Sequence, residues 1–126
     1  MEKTVNMVLE EMAGQLDGLL GVGVVGMDGV AIATHVPSGS ILNVELTTAQ
    51  LATMMKLAKT TAGKLRAGEV EDDLLTTATN HVLIKPLNDN CYLGLVTDKN
   101  ASLGMVRLVA KAYVNRLCQL LPDSGK

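Results

Sequence analysis

Phenylalanine and tryptophan are missing from this chain of 126 residues, and two tyrosines are its only aromatic side chains. Single-stranded nucleic acids are held largely by stacking bases on aromatic rings, so that mode of binding has almost nothing to work with. An excess of positive charge is missing too. Eleven Lys and Arg stand against thirteen Asp and Glu, a net charge of −2, whereas a nucleic-acid footprint needs a concentrated basic face. Cys91 and Cys118 are too few for a disulfide scaffold. No apolar run reaches the roughly 20 residues of a membrane helix. The longest, Leu19 to Ala33, is broken by Asp28-Gly29 and diluted by glycine. The chain opens without the basic and apolar regions of a secretory leader, so the cytoplasm is the expected compartment, with no insertion into a membrane.

What is there is aliphatic. Hydrophobic residues make up 48% of the chain, which is rich for a small domain and points to apolar surface covered by a partner. The length predicts one domain over residues 1–126, with a loose tail from Pro122 to Lys126. Val5, Val8, Leu9, Met12 and Leu16 recur at helical spacing, and Gly18 and Gly21 are expected to end that helix. Val22 to Val36 reads as a hairpin about a two-residue Asp28-Gly29 turn, both positions with positive φ, placing Val25 opposite Ile32 and Gly23 opposite Thr34. A second helix is predicted from an N-cap at Thr47, with Gln50 completing a capping box, Leu46 and Leu51 a hydrophobic staple, and Gly68 the stop. Strands follow at Leu74–Thr79, Val82–Leu87 and Cys91–Thr97, then a helix from about Ser102 to Leu121. The order α-β-β-α-β-β-β-α with tight hairpins implies an α+β domain, an antiparallel sheet sandwiched by helices.

The candidates for chemistry are weak. Gly21, Gly23 and Gly26 match G-x-G-x-x-G but run into a hairpin rather than opening a helix, as a dinucleotide site requires. No phosphate-binding loop of the G-x-x-x-x-G-K-[ST] kind is present. Cys91 or Cys118 with His81 or His35 would make a nucleophile and base, yet these cysteines fall on or beside apolar faces, and the histidines read as surface or capping residues at strand ends. Glu69 to Asp73 lacks the ligand alternation of a calcium loop and reads as a solvated turn. No enzyme activity, cofactor or metal is expected.

Two features stand out. Leu74, Leu75, Thr76, Thr77, Ala78 and Thr79 form a strand without charge, a candidate sheet edge of the kind that pairs with another chain, or else an ordinary interior strand. In the middle helix Met54 and Met55 are adjacent and cannot point the same way. Met55 with Lys56 and Lys59 makes either a helix face for a protein partner or, for the methionine, plain core.

The element order, the run Gly21 to Ala33 (GVGVVGMDGVAIA) and the run Asn100 to Arg107 (NASLGMVR) together resemble the roadblock family, also called the dynein light chain roadblock-type domain. The resemblance spans about Val5 to Leu121. It implies a five-stranded antiparallel sheet with the middle helix on one face and both terminal helices on the other. It implies homodimers or heterodimers paired through the third strand, Leu74 to Thr79 here, with the middle helices side by side. In bacterial and archaeal relatives that helix pair docks a Ras-like small GTPase, which the protein activates or scaffolds. The corresponding face here is the exposed side of Thr48 to Leu65, with Thr48, Ala52, Met55, Lys56 and Lys59. Two other roles stay open: a structural scaffold subunit like the dynein light chains, and a small-ligand sensor with a pocket under the loop Val36 to Val44.

Overall fold

Each helix begins on a side chain that accepts a hydrogen bond from its own first turn, the bond that satisfies an otherwise orphaned backbone N–H. Thr4 accepts from Met7 N–H (3.2 Å), Asn43 from Leu46 N–H (3.0 Å) and Ser102 from Met105 N–H (3.3 Å). These caps open α1 (Val5–Ala13), α2 (Val44–Leu65) and α3 (Leu103–Leu120). The strands are β1 (Leu19–Gly26), β2 (Ala31–His35), β3 (Asp73–Thr76), β4 (Asn80–Pro86) and β5 (Cys91–Asp98). They come from a computed structural model that describes residues 4–121, so the expected loose tail at 122–126 lies outside the described residues.

The strands form one antiparallel sheet in the order β2-β1-β5-β4-β3, with β2 and β3 at its edges. Side chains alternate across it. Val22, Val24, Leu83, Cys91, Leu93 and Leu95 pack with α1 and α3, which share one face. Val25, Ile84 and Tyr92 pack on the other face under Leu51, Ala52 and Met55 of α2. The fold class and element order read from the sequence are those observed. Among the described residues no helix is long and apolar enough to cross a membrane.

Several boundaries differ from expectation. α2 starts at Asn43 rather than Thr47, because the Asn carboxamide caps the helix by itself. Thr47 is already inside, its hydroxyl donating to Asn43 C=O (2.6 Å), and Leu46 is exposed, so no staple forms. α1 ends earlier, at Ala13, and Leu16 is buried from the turn that follows. The hairpin loop has three residues, closed by Gly26 N–H to Val30 C=O (2.9 Å). Only Gly29 takes positive φ (86°), while Asp28 stays at negative φ and its carboxylate accepts from Val30 N–H (3.0 Å). The strands therefore bulge: Val22 to Val24 keep the expected partners, but Val25 meets Ala31 instead of Ile32.

α2 ends on Arg66 in the left-handed conformation (φ 54°, ψ 41°), with Ala67 N–H closing back on Ala62 C=O (2.9 Å). Glycine is the residue suited to that position. Arg66→Gly is expected to stabilise the fold by about 0.5–1 kcal/mol, read as a rise of a few degrees in Tm, because the left-handed backbone penalises a Cβ. An unchanged or lower Tm would show that the Arg66 side chain itself contributes at the helix end.

Candidate functional site

The candidate site joins the β3 edge to the outer surface of α2. Thr77 N–H bonds Asn80 C=O (2.9 Å), which sets the phase of the β3–β4 ladder. Bonded pairs alternate with non-bonded ones in an antiparallel ladder, so Leu75 bonds inward to β4 while Leu74 and Thr76 turn their backbone N–H and C=O groups outward. Their side chains divide as well. Leu74 packs toward the terminal-helix layer, and Leu75 lies on the α2 side, 43% exposed. Thr76 is exposed and hydrogen-bonds His81 Nδ1 at 3.1 Å.

The strand is shorter than the sequence suggested, and it starts one residue earlier, on Asp73, so it is not free of charge. Thr77, Ala78 and Thr79 are a turn, not a strand, because the Thr77 hydroxyl accepts from Asn80 N–H (3.0 Å) and Thr79 N–H (3.3 Å). A threonine side chain here replaces ladder bonds with a local turn.

On α2 the expected partner face splits. Thr48, Ala52 and Met55 are buried against the sheet, at 7%, 3% and 0% exposure, and belong to the core. They repeat at i, i+4 and i+7 and so form one inward row with Leu51. Lys56 is exposed and Lys59 half-buried. Successive helical residues are 100° apart, which puts Leu46, Ala49, Thr53, Leu57, Thr60 and Lys64 on the outward face. Leu46, Leu57 and Leu65 are 59%, 66% and 72% exposed. The signal that finds this face is the same periodicity, shifted by half a turn from Met55.

The fully buried residues of α2 all lie between Thr48 and Met55, and its C-terminal half is covered only in part, with Ala58, Lys59 and Ala62 half-buried. On the flank toward β3, Leu46, Gln50, Met54, Leu75 and Val82 line an apolar groove of about 580 Å³.

The remaining candidates are not assembled into a site. Cys91 pairs opposite Gly26 on β1 and His35 opposite Val22, so they lie on strands either side of β1 and are offset along it by four residues, roughly 13 Å. His81 lies at the far end of the β4–β5 hairpin from Cys91, opposite Thr97, and is buried rather than superficial. Burial, then the nearby Cys118, pushes the Cys91 thiol up, with the Asn88 hydrogen bond opposing, and burial pushes the Cys118 thiol up. Both are poorer nucleophiles for it. Among the described residues no three His, Cys, Asp or Glu group together to hold a metal. The loop 36–44 borders two spaces: a small apolar cavity of about 30 Å³ lined by Val36, Leu42, Val44 and Leu51, and, through Ser40 to Asn43, the groove of about 580 Å³ on the β3 flank. The cavity has room for about one water, whereas the groove has the volume of a small-molecule site but is an open, largely apolar surface.

Residues 4–97 match the Roadblock/LC7 domain. The chain belongs to that family. Two uncharacterised proteins of Methanocaldococcus jannaschii are each 27% identical to this Roadblock/LC7 domain over 113 residues, 90% of this chain and 96% of theirs. Among solved structures, MglB of Myxococcus xanthus superposes with a TM-score of 0.81 at 18% identity, covering 91% of this chain and 92% of that one. The Roadblock/LC7 domain of Streptomyces avermitilis gives 0.81 at 9% identity, covering 91% and 95%. A fold kept at such low identity is specified by the pattern of buried positions rather than by particular side chains.

Proposed function

We propose that this Roadblock/LC7 domain forms a homodimer through β3 and docks a Ras-like small GTPase on the outward face of α2, as its regulator or scaffold and without catalytic residues of its own. The observation that carries the reading is the pairing of two incomplete features on one side of the molecule. β3 is an edge strand with outward backbone groups at Leu74 and Thr76, and α2 beside it exposes leucines that its own sheet leaves uncovered. β3 opens on Asp73, but its remaining residues Leu74 to Thr76 are uncharged; such unpaired edges recruit strands, and exposed apolar helix faces recruit partners. One solved MglB structure is described as a tetrameric arrangement, which accords with self-association in this fold. The family resemblance supplies the GTPase as the partner class, and the cytoplasm is the compartment such a partner requires.

Two of the three arginines are turned away from the docking face. Arg107 and Arg116 lie on α3, across the sheet from α2, whereas Arg66 closes α2 through its backbone N–H and keeps an exposed side chain at the end of that helix. The reading is one of positioning the GTPase's own residues, and Arg66→Ala, expected to leave hydrolysis unchanged, is the substitution that tests it.

The test is light scattering after size exclusion, on the protein alone and with the Ras-like GTPase encoded nearest to it, loaded with GDP or a GTP analogue. A dimer alone and a larger complex with the GTP form are expected. Lys56→Glu with Leu57→Glu should weaken the complex at least about tenfold, and Lys59→Glu should do less. A monomer would overturn the dimer, and a dimer that ignores both nucleotide forms would overturn the GTPase.

A further inference from the structure

α3 carries Arg107, Lys111 and Arg116 and no acidic residue, on a chain whose net charge is −2. Its buried side is Val106, Val109, Ala110, Tyr113 and Leu117. At 100° per residue, Met105, Leu108 and Ala112 form one row on the solvent side, with Arg107 and Lys111 in the row beside it. Met105 is 44% exposed and Leu108 61%. Arg116 is occupied: it binds both carboxylate oxygens of Glu11 (2.5 and 3.2 Å) and lies over the Tyr113 ring at 4.9 Å. Arg107 reaches Asp72 only at 3.5 Å, with the Arg107 side chain half exposed and the Asp72 side chain about a third exposed, a weak contact. Among the described residues nothing pairs with Lys111. The outer face of α3 is thus an apolar row flanked by two cations that are free or nearly so.

We infer that this face of α3 is a second docking surface, for an acidic amphipathic helix of a partner protein. Rows three and four residues apart are what a second helix packs against. The free cations on one flank select carboxylates on the incoming helix, and Arg107 can hold one bidentately. A second copy of α3 would bring like charges together and is disfavoured. An anionic membrane is the poorer fit, because two cations and two large aliphatic side chains, without aromatics, fall short of the paired signals that stable anchoring needs. α3 and α2 lie on opposite faces of the sheet, so both surfaces can be occupied at once and the domain becomes a two-sided adaptor. The inference does not rest on the GTPase reading.

The probe is a labelled helical peptide of about 18 residues, the length of α3, with a leucine seam flanked by glutamates. Anisotropy titrations should show saturable binding that weakens as salt rises, and the amide shifts it causes should cluster between Met105 and Gln119. Leu108→Glu and Lys111→Glu should each weaken it about tenfold or more. Both side chains are exposed, so both variants should melt as the wild type does, and Leu57→Glu on α2 should leave binding unchanged. Four results would each overturn the inference. They are no saturation below about 1 mM, equal binding of a scrambled peptide, insensitivity to both α3 substitutions, or binding to phosphatidylserine vesicles but not to the peptide.

Discussion

Met55→Asp should unfold this protein, while Leu57→Asp, two residues further on, should leave its stability within about 0.5 kcal/mol of wild type. Met55 has no exposed surface and packs with Val25, Leu51, Ala52, Ile84 and Tyr92 between α2 and the sheet. Truncating such a side chain to alanine costs about 2–5 kcal/mol. A carboxylate there has no partner and must shed its water as well, a penalty of several kcal/mol more. The total approaches the roughly 5–15 kcal/mol that holds a domain folded. Urea unfolding followed by circular dichroism on Met55→Ala, Met55→Asp and Leu57→Asp reads the difference directly. If Met55→Asp melted normally and lost only a binding activity, α2 would have to be rotated by about half a turn from the structure described, and Met55 would belong to a partner surface.

Thr76→Pro should convert the proposed dimer to a monomer with little change in the fold of each copy. The ladder phase turns Thr76 N–H away from β4, so proline deletes a group that only a partner strand would use. Leu75→Lys is the complementary change. Its side chain is 43% exposed on the α2 side and would meet its own copy across a two-fold axis, setting like charges together. Each is expected to shift the mass measured by light scattering from two copies to one at micromolar concentration, with a normal far-ultraviolet spectrum. Dimers that survive both substitutions would place the self-association surface elsewhere. Loss of GTPase docking along with the dimer would show that the docking face needs both α2 helices; retention by the monomer would confine it to one.

The element types were legible because each is a local decision. Val5, Val8, Leu9 and Met12 declare a helical face, and Asp28-Gly29 declares a hairpin, whatever lies around them. The boundaries were less legible where two local signals compete. Thr47 with Gln50 makes a fuller motif on paper, but the Asn43 carboxamide accepts from Leu46 N–H and starts the helix four residues earlier. Thr77 to Thr79 have strand propensity, yet the Thr77 hydroxyl offers the backbone a turn instead. Gly94 shows what no local signal could. A Cβ there would stand 2.7 Å from Leu51 Cδ1, so its lack of a side chain lets α2 lie close to the sheet, a contact between residues more than forty positions apart.

By itself, the sequence determined the number and order of the elements and their apolar faces. Periodicity and charge are carried by each segment alone, before any segment meets another. Only the tertiary structure decided that Thr48, Ala52 and Met55 face inward and that Leu57 faces outward. It alone placed β3 at the sheet edge, and it alone left an apolar, cationic row on α3 facing solvent. A helical stripe states which residues share a face but not which face the sheet will take. That choice belongs to the packing of α2 over Tyr92 and Ile84 and of α3 over Leu93 and Leu95, where burial of the larger apolar surface wins.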